Sequence, residues 1–138
     1  MSAKVERDYS GRTLFEKLGV ETQAHVALVG CHEESFAIGL NARLSKAASI
    51  TLRTRYDLIF VRIDEGRDLV RIGRAAGYLK SSGALWVFHP KGRGADPNEH
   101  DVRAAGIAAG LVDNKISAYT ESHTATRFVI PVAKRLSP

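Results

Sequence analysis

The sequence predicts an α/β protein of three layers: a mostly parallel sheet between helices, ending in an antiparallel β-hairpin. Three observations carry this reading. Apolar runs that stop at glycine or a polar loop alternate with segments whose apolar residues recur every three or four positions. The runs are apolar on consecutive residues, as strands covered on both faces are. Two alternating runs joined by a short polar turn then close the chain.

The first element is the helix in "GRTLFEKLG". Thr13 stands three residues before Glu16 as in a capping box, and Gly19 ends the segment, which reads as a short lid over the sheet edge. "AHVALVG", Ala24 to Gly30, is a buried strand. In "CHEESFAIGLNARL" the residues Phe36, Leu40 and Leu44 repeat every four positions, so a helix lays one stripe on that strand. Residues 48–53 and Tyr56–Ile63 are two further strand candidates separated only by Thr54 and Arg55. That spacer is too short for a parallel crossover, which makes 48–53 either antiparallel to its neighbour or a short edge piece.

From Asp64 to Leu79, the spacing of Leu69, Ile72, Ala76 and Leu79 predicts a second crossover helix, ended by Ser81, Ser82 and Gly83. The strand "GALWVFH" follows, then a basic glycine loop. Asp96 as N-cap, Pro97 at the first helical position and Glu99 at the third start the next helix. "LVDNKISAYTES" and "ATRFVIPVAK", joined by a turn around Ser122 to Thr124, form the hairpin. Pro131 within its second run would remove a ladder hydrogen bond from a central strand, which argues against an interior place for that strand.

A chain of 138 residues with 44% hydrophobic content makes one domain, residues 1–138, with one continuous core. No apolar run approaches the roughly 20 residues that span a bilayer. Met1 to Asp8 is charged and lacks the apolar block of a signal peptide, so a cytoplasmic location away from membranes is expected. One cysteine, Cys31, builds neither an internal disulfide nor a multi-thiolate metal site, in keeping with a reducing compartment. The net charge of +5 is compatible with an anionic partner, but its first reading is a basic solvated surface. The arginines are spread rather than blocked, so nucleic acid is the weakest of the partner classes.

"YDLIFVRID", "GALWVFHPK", "GLVDNKISAY" and "TRFVIPVAK", with the helices between them, resemble the carboxyl half of the Rossmann-like class I methyltransferase fold, which ends in a reversed strand. The chain also resembles a small bacterial family of domains of unknown function. That likeness rests on Lys17 to Gly19, Val26 to Gly30, Gly83 to Val87 with Pro90 and Lys91, Gly110 to Asp113 with Lys115, and Arg127 to Val129. It runs from about residue 11 to residue 134, judged by motif order. The methyltransferase resemblance implies S-adenosylmethionine as cofactor, and the residues test that implication. A cofactor of this kind approaches a glycine-rich turn after the first strand, where this chain has "VGCHEES" with Gly30 alone. An acidic residue is then expected about 20 positions on to bind ribose, but Arg53 and Arg55 stand in that region. Asp64 and Glu65 replace the usual Asn-Pro-Pro-aromatic segment. The sequence therefore specifies no cofactor.

If the strands from Ala24 and Tyr56 are parallel neighbours, their carboxyl ends bring together Gly30, Cys31, His32, Asp64 and Glu65. A thiol at a helix start beside a histidine suits a reactive Cys31, although a small residue after a turn glycine is more often only a turn residue. His89, Lys91 and Arg93 lie where the third strand meets its glycine loop, which suits a phosphate or carboxylate but lacks the ending of a P-loop. His32, His89, His100 and His123 show no metal-ligand spacing. Trp86, Phe60 and Phe88 read as core. Glu121, Ser122 and His123 match a hydrolytic set in composition only, with no GxSxG elbow.

The reading favoured by the residues is a non-enzymatic domain that binds a small anionic ligand or a protein partner at the carboxyl edge, nearest Gly30, Cys31, His32, Asp64, His89, Lys91 and Arg93. The alternative is an atypical S-adenosylmethionine-dependent methyltransferase. A nucleic-acid-associated module is a weaker third.

Overall fold

The computed structural model describes residues 13–135. Its sheet has five strands in the order β1-β2-β3-β5-β4: β1 (Val26–Val29), β2 (Tyr56–Arg62), β3 (Leu79–Pro90), β4 (Val112–Ala118) and β5 (His123–Val129). β1 pairs with β2 and β2 with β3 in parallel, while β5 is antiparallel to both β3 and β4. Four strands thus point one way and β5 is reversed. Two of the four pairings are antiparallel, so the sheet is mixed rather than mostly parallel.

Period-two alternation in β2 and β3 sorts apolar side chains to the two faces. Leu58, Phe60, Trp86 and Phe88 lie on one face with α1 (Leu14–Lys17) and α2 (Glu34–Arg43). Ile59, Val61, Leu85 and Val87 lie on the other with α3 (Val70–Ala76) and α4 (Glu99–Ala108). The first face is aromatic. Phe36 of α2 packs edge-on to Phe60, Phe88 and Tyr119 at centroid distances of 5.1 to 5.5 Å. Such pairs add to the free energy of area burial alone. Trp86, fully buried, donates its indole hydrogen to the Leu18 carbonyl at 3.0 Å, which ties α1 to the sheet through a satisfied polar group.

The capping box of Thr13 and Glu16 forms as the sequence predicts. Other boundaries differ. α3 stops at Ala76 because the Tyr78 carbonyl already accepts from Tyr56 N–H, so Leu79 belongs to the sheet. α4 starts after Asn98 rather than at Asp96 and Pro97: Asn98 and Asp101 exchange side-chain to backbone bonds at 2.9 and 3.0 Å, a reciprocal cap two residues further on. The hairpin turn lies at 119–122, with Thr120 N–H bonded to the His123 carbonyl.

Residues 48–53 form no strand. A single parallel bridge joins Ser49 to Ala27 on the edge of β1 away from β2, and the Tyr56 hydroxyl satisfies Arg53 N–H and the Thr51 carbonyl in place of a ladder. β5 is interior despite Pro131, which falls beyond the strand and just before α5 (Val132–Arg135). Among the described residues no helix is long and apolar enough to cross a membrane.

Gly106 in α4 is a packing glycine. A Cβ there would overlap the ring of Phe128, which is fully buried. Alanine favours a helix interior by about 1 kcal/mol over glycine, but overpacking costs about 1–3 kcal/mol. Gly106→Ala is therefore expected to lower the urea midpoint with an unchanged slope; a raised midpoint would contradict this packing.

Candidate ligand edge

Chain path fixes where a ligand edge falls. After β1 the chain runs through α2 on one face to the outer edge at Ser49; after β2 it runs through α3 on the opposite face to β3. The direction of winding reverses between β1 and β2, and open α/β sheets bind ligands in the crevice outside the strand ends at such a point. β4 runs in the same direction as β3 with the reversed β5 between them, so the β4–β5 turn lies at the same edge.

The crevice contains an ion cluster. Arg62, the last residue of β2, reaches Glu33 Oε2 with Nη1 at 2.6 Å and grips Asp64 with Nε and Nη2 at 3.1 to 3.2 Å. The Arg62 and Glu33 side chains are only 11% and 8% exposed. Tyr119 donates its hydroxyl to Glu33 Oε1 at 2.8 Å, and His123 Nε2 meets Asp64 Oδ1 at 2.9 Å. Below, Asp68 caps the turn by accepting from Asp64 and Glu65 N–H, and Arg71 pairs with Asp68 while donating to the Arg62 carbonyl. The cluster joins the ends of β1, β2, β4 and β5.

Electrostatics follow from this wiring. Burial opposes ionisation of Glu33, but the Tyr119 hydroxyl and Arg62 outweigh it and hold the carboxyl below its usual range. Asp64 is likewise lowered, burial being outweighed by Arg62 and His123. Burial and Glu33 keep the Tyr119 phenol protonated. Burial and then Arg62 depress His123 despite its carboxylate partner. With His123 neutral, the cluster has three carboxylates, Glu33, Asp64 and Asp68, against two guanidiniums, Arg62 and Arg71.

Of the residues singled out from sequence, Gly30, His32 and Asp64 come together here. Gly30 turns the chain out of β1 at φ +95°. His32 lies over Phe36 and beside Phe88, and its Nε2 sits 3.1 Å from the Val29 carbonyl and 2.8 Å from that of Phe60. Two acceptors make Nε2 the protonated nitrogen, and Nδ1 is buried without a partner. Burial lowers the His32 pKa. Cys31 is exposed, and no hydrogen bond joins its thiol to His32. His89 is 1% exposed, with Nε2 at 2.8 Å from Thr126 Oγ1, so it supports the loop from within. Lys91 and Arg93 are exposed on that loop, which Lys91 N–H ties to the Ser122 carbonyl at 3.0 Å. Among the described residues no group of three or more His, Cys, Asp or Glu is placed to hold a metal ion.

Sequence reasoning missed Glu33, Arg62 and Tyr119. Arg62 carried a signal: it is the one charge in the carboxyl half of an apolar run, "LIFVRI", and such a charge requires a partner. The reading also missed a groove of about 280 Å³ at the opposite, amino edge, lined by Gln23, Asp57, Ser82 and Arg127 among others.

No protein-family model matches this chain, and no curated protein matches its sequence. Solved structures do match. Magnesium protoporphyrin IX methyltransferase from Synechocystis PCC 6803, with bound S-adenosylmethionine, superposes with a TM-score of 0.63 at 13% identity, over 85% of this chain and 74% of that one. The chain has the class I methyltransferase fold. An O-methyltransferase from neocarzinostatin biosynthesis, in complex with S-adenosylmethionine and 2-hydroxy-5-methyl naphthoic acid, gives 0.67 at 13% identity. The match covers 90% of this chain and 53% of that one, so this chain spans about half that methyltransferase. The ribosomal protein L11 methylase from Lactobacillus delbrueckii subsp. bulgaricus gives 0.62 at 12% identity over 84% and 74% of the two chains.

Removing Arg62 leaves Glu33 buried with the Tyr119 hydroxyl but no counter-ion. Arg62→Met is expected to cost about 3 kcal/mol in chemical denaturation, as broken buried pairs do; a loss below about 1 kcal/mol would mean the pair is solvated. The depressed histidines set a pH dependence as well. His32, His89 and His123 have folded pKa values below 6.5, so on acidification the unfolded chain takes up protons first. Stability is therefore full above 6.5 and falls as pH drops through and below it, read as a declining melting temperature. A flat profile between about pH 7.5 and 5 would contradict the burial of these rings.

Proposed function

We propose that this chain is a methyltransferase-like domain that acts by binding at the carboxyl edge of its sheet, on the rim formed by Cys31, Asp64, Glu65 and the Lys91–Arg93 loop. The observation that carries this is the ion cluster seated at the switch point. In the methyltransferase fold a cofactor lies against the turn after the first strand. Here a Cβ added at Gly30 would meet Arg71 Nη1 at 2.9 Å, the Arg62 carbonyl oxygen at 3.0 Å and Arg62 Cβ at 3.1 Å. The end of β2 and the Arg71 guanidinium thus take up the space on one side of that turn. On that side of Gly30 no room is left for S-adenosylmethionine, which disfavours its binding against this turn.

The rim offers both signs of charge. Asp64 and Glu65 have side chains 45% and 59% exposed, and Lys91 and Arg93 are exposed on the glycine loop. A small anion such as pyrophosphate is the ligand class that the loop suits, through two cations beside glycines at positive φ. The excess carboxylate lies in the inner cluster and disfavours an anion there.

A second reading is an S-adenosylmethionine-dependent enzyme with an atypical first loop. The fold likeness supports a methyltransferase-like domain better than a wholly non-enzymatic one, and the excess carboxylate suits a sulfonium cation. It requires the Arg71 guanidinium to move from Gly30, or the cofactor to approach the turn from another side.

Calorimetric titration separates the two. Wild-type protein is expected to show no saturable heat with S-adenosylhomocysteine at concentrations up to about 1 mM. Pyrophosphate should bind and should lose at least tenfold in affinity in a Lys91→Ala, Arg93→Ala double variant, about 1.4 kcal/mol. Saturable binding of S-adenosylhomocysteine, abolished by His32→Ala, would install the second reading.

A further inference from the structure

We propose that Ser122, His123 and Asp64 form a nucleophile relay that takes an acyl group from an activated ester, an activity separate from the ligand binding above. In sequence, Ser122 and His123 are neighbours and Asp64 lies 59 residues before His123; the hairpin turn and the end of β2 bring the three into line. Ser122 Oγ stands 2.8 Å from His123 Nδ1, and His123 Nε2 stands 2.9 Å from Asp64 Oδ1. Nucleophile, base and orienting carboxylate within hydrogen-bond reach of one another are the signature of an activated serine, recognised by geometry and not by order along the chain.

Protonation follows from the partners. Asp64 is held ionised by Arg62 and only accepts, so the Nε2 nitrogen carries the imidazole hydrogen. Nδ1 then has a bare lone pair, and the Ser122 hydroxyl must donate to it. That is the state a general base needs before the reaction. Thr120 Oγ1 accepts from His123 N–H at 3.1 Å and lies 3.4 Å from Ser122 Oγ, which leaves the serine hydrogen directed at the imidazole. The His123 side chain is 8% exposed and sheltered, whereas Ser122 is exposed and reachable. The N–H groups of Glu121 and Ser122 make no hydrogen bond among the described residues, so the turn has spare donors beside the nucleophile for a developing oxyanion.

In the reaction, Ser122 Oγ adds to the carbonyl carbon as its proton passes to His123 Nδ1. The bond to the leaving oxygen breaks, and that oxygen takes the proton from His123. Water then adds to the acyl-serine, giving its proton to His123 and returning it to Ser122 Oγ as the carboxylic acid leaves. Asp64 touches no reacting atom; it is a positioning residue for the ring. The charged and titratable groups around His123 are Asp64 and Arg62 from the end of β2, Glu33 from before α2 and His89 from β3.

The test is labelling by a fluorophosphonate, which forms a Ser122 Oγ–P bond with loss of fluoride, followed by intact mass and peptide mapping. One phosphonyl group per chain is expected on Ser122 and none on Ser122→Ala, a change in an exposed turn that leaves the core untouched. Hydrolysis of p-nitrophenyl acetate should fall on the order of 100-fold in Ser122→Ala and His123→Gln. Asp64→Asn should lose the neutral-pH plateau of the labelling rate while still labelling slowly at alkaline pH. No adduct on the wild type, an adduct at another residue, or labelling rates unchanged in His123→Gln and Asp64→Asn would overturn the relay. None of these readouts depends on whether S-adenosylhomocysteine or pyrophosphate binds.

Discussion

A guanidinium at the end of a strand covered on both faces has to be neutralised where it stands, and the carboxyl edge of this protein is organised around that requirement. Arg62 has two carboxylate partners on different segments, Glu33 entering α2 and Asp64 leaving β2. Each brings a further group: Glu33 holds the hydroxyl of Tyr119, and Asp64 holds the imidazole of His123. One charge therefore fixes the relative position of the first two strands and of the hairpin. Breaking such a network by deleting one member costs more than the network contributes against an apolar substitute, because the remaining charges are left buried. The arrangement specifies one register of the edge as much as it stabilises it.

The aromatic layer beneath has a complementary role. Phe36 packs against Phe60, Phe88 and Tyr119, and Tyr119 also stacks on Phe88 with ring centroids 4.1 Å apart. Tyr119 thus has its ring in the core and its hydroxyl in the ion cluster. The apolar packing sets where that hydroxyl points, and the hydroxyl sets one end of Glu33. Polar geometry at the edge is inherited from close packing below it.

Much of the fold was legible because its signals are local. Consecutive apolar residues in "AHVALVG" and "YDLIFVRI", the capping box at Thr13 and the alternation of the last two runs each report on their own element. What escaped was settled by tertiary bonds. Residues 48–53 have the composition of a strand, but the Tyr56 hydroxyl takes the backbone groups a ladder would have used. Asn98 and Asp96 are both competent caps, and only the reciprocal bond with Asp101 decides between them. The site was legible as a place and not as a set of residues. Gly30, His32 and Asp64 follow from strand order, whereas Glu33 and Tyr119, 86 positions apart, have no sequence relation that spacing analysis detects.

The reversal of β5 has a consequence for how the chain is made. It replaces a helical crossover by a tight turn, and so the last strand pair delivers Tyr119, Ser122 and His123 to an edge begun by Glu33 and Asp64. During synthesis those acidic residues emerge long before the groups that complete them. Until the hairpin has left the ribosome, Arg62 and its two carboxylates form an unfinished surface with no phenol and no imidazole. The edge is closed by β4 and β5, so a chain that stops short of them lacks both the finished site and the share of the core that Tyr119 and Phe128 supply.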